Sequence, residues 1–421
     1  MLLHKVWIWT LLFLSVSLNK GIAENPSTEK IIQETYEQFT SSRSTPTHKT
    51  IAIDSKTILH VSSPVRIELS SQLSSDLIAI TQLKKEPTEV LNVSIQIDKK
   101  NPIHVFIRRI PDKKILLRSI DLGLIEDIQD LHQLSNLHSL QDPLCLLKAS
   151  LFTSGLIDEQ TPLATQLERL GGGFSITTYS SLPKGTGLGV SGILSAAILK
   201  GLYTMVNENR SKDDLIKDAI IVEKLIGVGG GWQDPAGGIY GGVKLLAANP
   251  IEKKIQVLPI QLSKDTQENL QKRMIVWYSG KGKENATRGF SQEVHHFLNP
   301  DKKVIYDQAK QNLEKMKQAL MTEDIDAFGL AIKEYYELGL SLDFSTGSSS
   351  NKGLPRTIEE DTIGYNSTGV GASGGFCIFI SKEGQESSLH EKISLLNGKI
   401  YNWNISNEGM KIEYIYEDKI K

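Results

Sequence analysis

Hydrophobic and polar positions alternate with a period of two through much of residues 51 to 120. "VLNVSIQI" and "HVFIRRI" read as strands, with "KKNP" as the turn between them. Residues 124 to 157 change to helical spacing. The two-residue period returns in "GGGFSITTYSSLP", where Phe174, Ile176 and Thr178 share one face and the strand ends at Pro183. "SKDDLIKDAIIVEKLIG" then predicts a helix with Leu215, Ala219, Val222 and Ile226 as its buried stripe. Ser211 is placed to cap it, Asp213 and Asp214 suit its positive end, and Gly227 ends it. "GGVKLLAA", "RMIVWYSG" and "GGFCIFIS" add later strands, and residues 302 to about 342 follow a long helical pattern. Strands first, then mixed elements with a helical block, predict an α+β protein of two lobes.

The ends and the composition refine this picture. Residues 25 to 60 are polar and rich in Ser and Thr, as in a linker or a loosely held arm. Residues 1–23 have a short basic lead, an apolar core from Val6 to Leu18 and Gly21-x-Ala23, the pattern of an export signal too short to span a bilayer comfortably. At 421 residues the chain has room for two packed domains. A net charge of −2 gives no reason to expect nucleic acid or an anionic membrane as a partner, and no stable membrane span is expected. Cys145 and Cys377 cannot build a disulfide framework, and their apolar surroundings suggest buried thiols. The nine histidines show no metal-ligand spacing.

Chemistry enters at "SSLPKGTGLGVSGILSAA", residues 180–197. A strand, three glycines at every second position and then a helix can present bare backbone amides to an anion. A P-loop would need a Lys-Ser or Lys-Thr pair after the glycines, and there is none. "GLGVSG" spells a dinucleotide fingerprint, but the acids about 20 positions on, Asp213 and Asp214, open a polar helix instead of closing a strand. A tight connection with no ligand remains open. Further on, Glu223 lies near the end of the capped helix and Asp234 follows in the glycine-lined "GGGWQDPAGG". Their separation lets the chain fold back so that both carboxylates face one pocket. Taken alone, Glu223 could equally be a helix-surface acid and Asp234 the cap of a turn.

Pro183, Gly187, Leu188, Gly189 and Ser191 together resemble the signature loop of the GHMP small-molecule kinases. "SSLPKGTGLGVSGIL" followed about 40 residues later by "GVGGGWQDPAGGIYGGVKL" resembles the L-fucose kinase branch, with the heptose-phosphate kinases close to it. "VWYSGKGKENATRGF" and "STGVGASGGFCIFI" resemble that branch's later strand and its third, glycine-rich motif. The likeness runs from about Ser63 to Ile380. It implies a two-lobed fold, with an N-terminal ribosomal S5-like α/β lobe over 61–260 and a C-terminal ferredoxin-like lobe over 261–421, behind a leader (1–23) and a linker or arm (24–60).

It also implies an ATP-dependent sugar kinase. Lys184, Gly185, Gly187, Gly189 and Ser191 would line the phosphate loop with Pro183 and Leu188, and Gly371, Ser373, Gly374 and Gly375 would close the site. Ser191 and Glu223 would hold Mg²⁺. Asp234 would accept the proton of the sugar hydroxyl or orient it, and Arg66 would sit near the transferring phosphate or steer Asp234. The implied acceptor is a small-molecule sugar, phosphorylated at its anomeric hydroxyl. The alternatives are a heptose 7-phosphate kinase and an inactive relative that binds sugar or nucleotide. The chain departs from the branch at Glu68, which replaces an aspartate, in lacking its Gly-Gly-Trp, and at Gly192, where a second serine is usual. Dependence on ATP implies a cytoplasmic protein, whereas the leader reads as an export signal.

Overall fold

The computed structural model describes residues 26–47, 50–135, 137, 142–183, 185, 187–280, 289–342, 356–367 and 375–416. Its strands gather into three sheets. The first runs in the order β15 (Lys411–Tyr416), β1 (Thr57–Ser63), β4 (Ile103–Ile110), β7 (Gly173–Ser180), β5 (Ile115–Ser119) and β6 (Leu124–Ile128). Only the β5–β7 pair is parallel in it. The second joins β14 (Trp403–Ile405), β3 (Thr88–Ile97), β8 (Val243–Asn249) and β9 (Lys254–Pro259), with β2 (Val65–Ser71) also paired to β3. The third is antiparallel: β11 (Thr362–Ser367), β12 (Phe376–Ser381), β10 (Met274–Tyr278) and β13 (Lys399–Tyr401).

Helices α1 (Pro26–Thr40), α2 (Ile78–Lys84), α3 (Cys145–Thr153), α4 (Leu163–Leu170), α5 (Val190–Met205), α6 (Lys212–Leu225) and α7 (Gln233–Ile239) belong with the first two sheets. After them come α8 (Lys264–Arg273), α9 (Gly289–Leu298), α10 (Lys303–Met321), α11 (Ile325–Ser341), α12 (Arg356–Glu359) and α13 (Glu386–Ser394). Helix α5 is apolar on nearly every side because it is packed on every side: β1 and β4 lie on one flank, α6 and α7 on the other. Helix α6 begins where expected, with Ser211 Oγ accepting from the amide of Asp214 at 3.0 Å, and Leu215, Ala219 and Val222 are buried. In the C-terminal lobe α11 packs on β11 and also reaches β2, which ties the lobes together.

Four expectations change. Residues 124–128 form a strand; "LIEDI" alternates and pairs with β5 across a turn at Gly123, whose φ is +67°. The long helical block is two helices, broken at Thr322–Asp324, where Asp324 caps α11 by accepting from the amide of Ala327. β14 and β15 return from the far end of the chain to the N-terminal sheets, so no single cut near residue 260 separates the lobes. The polar arm is not loosely held. It forms α1, which buries Tyr36 and Phe39 against α6 and Trp232, at about 1.5–3 kcal/mol for a fully buried large apolar side chain. Of the two thiols, Cys145 is buried and Cys377 only partly so. Among the described residues no helix is long and apolar enough to cross a membrane, and residues 1–23 lie outside them.

Candidate active site

Beyond β7 the chain passes Pro183 and turns into α5. Gly185, Gly187 and Gly189 have φ of +71°, +93° and +74°. This is the left-handed region that L side chains resist, so all three glycines are needed for the turn itself. Gly189 is the N-cap of α5, and among the described residues no side chain caps it, which leaves first-turn amides available to an external acceptor.

The pleat of β2 sends Ile67 and Leu69 into the core and Arg66 and Glu68 to the opposite face, toward this turn. Arg66 is the joint of the site. Its Nη1 donates to the carbonyl of Gly187 at 2.9 Å, its Nε donates to Asp234 Oδ1 at 2.8 Å, and its Nη2 donates to the same oxygen. Asp234 stands in the first turn of α7, two positions after Trp232, which is fully buried and donates its indole N–H to Thr81 Oγ1 at 3.1 Å. The tryptophan therefore anchors the start of the helix that carries the aspartate.

Glu223, at the end of α6, is only 2% exposed, and among the described residues its Oε2 has no hydrogen-bond partner. A Cβ built on Gly192 would lie 2.9 Å from Asp234 Cβ and 3.3 Å from Glu223 Oε2. Both acids thus crowd one point at the head of α5. The same measurement explains why this chain carries glycine at 192: a serine there would force its neighbours apart.

Charge is unbalanced here. Burial first, then the charges of Asp234 and Asp76, pushes Glu223 up to about 8 against the pull of Ser191 and Arg66. Burial, then Glu68 and Asp234, pushes Asp76 up to about 8 as well, and Arg66 opposes the rise. Burial works against the charge on Arg66, but Asp234, Glu68 and Asp76 outweigh it and hold the guanidinium above the ordinary arginine value. Four acids facing one arginine, with a buried carboxylate oxygen unpartnered, make a site suited to a hard divalent cation with oxygen ligands. Among the described residues no group of three or more His, Cys, Asp or Glu forms a cage by itself. A cation that takes most of its ligands from phosphate and water fits that arrangement.

Beside this point lies a second polar cluster. Gln233 Nε2 donates to Glu68 Oε2 at 2.6 Å, and the Tyr335 hydroxyl, carried across from α11, donates to Glu68 Oε1 at 2.5 Å and meets Ser71 Oγ at 2.7 Å. Asp76 abuts Gly231, and its backbone carbonyl accepts from the amide of Trp232 at 3.1 Å. Gln233 could have been singled out from its place beside Asp234. Tyr335 could not, since nothing in its local sequence marks it.

The structure therefore brings together Arg66, Gly187, Leu188, Gly189, Ser191, Glu223 and Asp234. Gly375 exchanges hydrogen bonds with Ser279 at the end of β10, its N–H to the hydroxyl and its carbonyl from the amide, both 3.1 Å. Lys184, Gly371, Ser373 and Gly374 lie outside the described residues.

The stretch holding the turn, Glu223 and Asp234 coincides with a family match: residues 160–242 match the GHMP kinases N terminal domain. Over these residues the chain is similar to that domain. Over 324 residues it is 29% identical to the bifunctional fucokinase/GDP-fucose pyrophosphorylase of Arabidopsis thaliana, which covers 75% of this chain and 30% of that protein. Over 244 residues it is 25% identical to the D-glycero-alpha-D-manno-heptose 7-phosphate kinase of Campylobacter jejuni, covering 56% of this chain and 70% of that one. The chain spans about a third of the length of the fucokinase-type relatives it matches. Its two-lobed α+β architecture is that of the GHMP kinases. The solved galactokinase of Lactococcus lactis in complex with galactose matches with a TM-score of 0.62 and 16% identity, over 90% of this chain and 99% of that one.

Proposed function

We propose that the protein is an ATP-dependent sugar kinase that moves the γ-phosphate of Mg·ATP to a hydroxyl of a neutral monosaccharide, the anomeric hydroxyl of an L-fucose-like sugar. The observation that carries this reading is the convergence of Asp234 and Glu223 on the head of α5, behind a turn of three left-handed glycines. Phosphoryl transfer asks for positioning and charge neutralisation more than for covalent chemistry. Exposed amides and a helix N-terminus supply the first for a triphosphate. Ser191 and Glu223 would hold Mg²⁺, which would neutralise the phosphate oxygens as charge shifts onto the leaving group.

In this scheme the acceptor oxygen attacks the γ-phosphorus, its proton passes toward Asp234, and ADP leaves. Arg66 grips Asp234 by Oδ1, which would leave Oδ2 for the acceptor hydroxyl. Glu68, Asp76 and Gln233 would read sugar hydroxyls.

The heptose 7-phosphate alternative needs a cation for the substrate's own phosphate. Among the described residues the acceptor side offers Glu68, Asp76 and Arg66, and Arg66 is already paired to Asp234. That surplus of acid favours an uncharged sugar. ADP release measured with L-fucose, other monosaccharides and heptose phosphates tests the proposal. Turnover with a neutral sugar supports it; turnover with a heptose phosphate alone replaces it with the alternative. Mg·ATP binding without turnover on any acceptor would favour an inactive relative.

A further inference from the structure

We propose that Tyr36, on the N-terminal arm, is a positioning residue for the Glu223 carboxylate, acting through the carbonyl of Gly230. The arm precedes residues 160–242, the segment that matches the family domain. What Glu223 is positioned for rests on the kinase reading above; the contact itself does not.

Gly230 is held on two sides. On one, a Cβ built on it would stand 1.6 Å from Glu223 Oε2, so the carboxylate lies directly against this backbone and no side chain could separate them. On the other, the Tyr36 hydroxyl donates to the Gly230 carbonyl at 2.9 Å. Between them the turn is pinned to the end of α6: the amide of Val228 donates to the carbonyl of Glu223 at 2.9 Å, and the amide of Gly230 to the carbonyl of Val228 at 3.0 Å. Any drift of the Gly230 peptide therefore moves the wall against which the orphaned Oε2 rests. Burial, reinforced by the charges of Glu223 and Asp76, keeps the Tyr36 phenol protonated and hence a donor.

The arm does not depend on that hydroxyl for its own place. Asp218, fully buried, binds Arg43 of the arm and accepts from Arg210 Nη2 at 2.6 Å and from the Tyr203 hydroxyl at 2.7 Å. Arg210 Nη1 donates to the Ser44 carbonyl at 2.7 Å, and Lys217 Nζ donates to Ser42 Oγ at 2.9 Å. Phe39 is fully buried beside Tyr36. With docking held by these contacts, the Tyr36 hydroxyl bears on the Gly230 carbonyl.

The test compares the full chain with Tyr36→Phe and Asp218→Asn, following amide hydrogen exchange and the affinity of the ADP-bound protein for Mn²⁺. Tyr36→Phe is expected to speed exchange over residues 227–232 about fivefold, the factor one hydrogen bond represents, while residues 26–47 stay protected. Mn²⁺ affinity is expected to fall by a similar factor. Asp218→Asn should instead expose the arm first. Unchanged exchange at 227–232 in Tyr36→Phe overturns the proposal. So does release of the arm together with the turn, which would make the phenol part of the docking. If the wild-type chain binds no Mn²⁺ with ADP, the kinase reading fails, and the exchange data alone decide the role of Tyr36.

Discussion

The two halves of the site are built in different ways. The proposed donor half is mostly backbone: three left-handed glycines and the start of a helix, joined by two acids from neighbouring helices, all within residues 185–234. The acceptor half is made of side chains brought from far apart, with Glu68 on β2, Gln233 on α7 and Tyr335 on α11, 267 positions from its partner. A turn that only glycine can form leaves a mark in sequence. A pocket assembled from separate segments leaves almost none, and it is free to change while the phosphate end stays fixed.

The sharpest way to separate the halves is Asp234→Asn, which lies where they meet. Turnover should fall by roughly 10²–10⁴, with Mg·ATP binding retained in a calorimetric titration. Near-normal turnover would remove Asp234 from its role.

Asp76→Asn should act on the acceptor half alone. The KM for sugar should rise about fivefold, as for a lost hydrogen bond between neutral groups, with the KM for ATP unchanged. Steady-state kinetics with each substrate varied in turn would show it; a matching rise for ATP would mean that the halves are not separable. Gly189→Ala tests the donor half by the opposite route. Its φ of +74° and the Asp234 carboxyl only 3.0 Å from the new Cβ should weaken ATP binding about fivefold through a strain of ~1 kcal/mol and lower turnover with it.

A separate effect, on stability and not on turnover, concerns pH. Glu223 and Asp76 keep protons in the folded chain that the unfolded chain releases, since their pKa values rise to about 8 from 4.5 and 3.8. The native state binds more protons in that window, so stability is fully present below the unfolded values and is lost as pH rises toward 8. Melting temperature in metal-free buffer should therefore decline from about pH 5 to pH 8, and Glu223→Gln should flatten the slope. A rising curve would contradict the buried, surplus charge.

Much of the N-terminal lobe was legible. Strands β3, β4, β7 and β8 and helix α6, with its Ser211 cap, follow from period and capping alone. The pairing of Glu223 with Asp234 was legible only through the glycine turn and the family likeness, because a helix-end glutamate is otherwise unremarkable. Composition misled at the arm. "FTSSRSTPTHKT" is polar, yet its Arg43 and Ser44 are polar because they meet Asp218, Asp214 and Arg210. Residues 124–128 misled for a related reason: a short edge strand of five residues gives too few positions to tell one period from the other. Tyr335 and Tyr36 were invisible, since each matters only through a partner nearly 200 or more positions away.

What the whole argument depends on is that carboxylates 223 and 234 and the bare amides before α5 form one seat for a metal-bound triphosphate. The direct measurement is the thermal shift given by saturating Mg·ATP in the wild-type chain and in Glu223→Gln. Binding to the native state alone must raise the melting temperature. A clear rise in the wild-type chain that largely disappears in Glu223→Gln is the predicted result. No rise in the wild-type chain, or an equal rise in both, would contradict it.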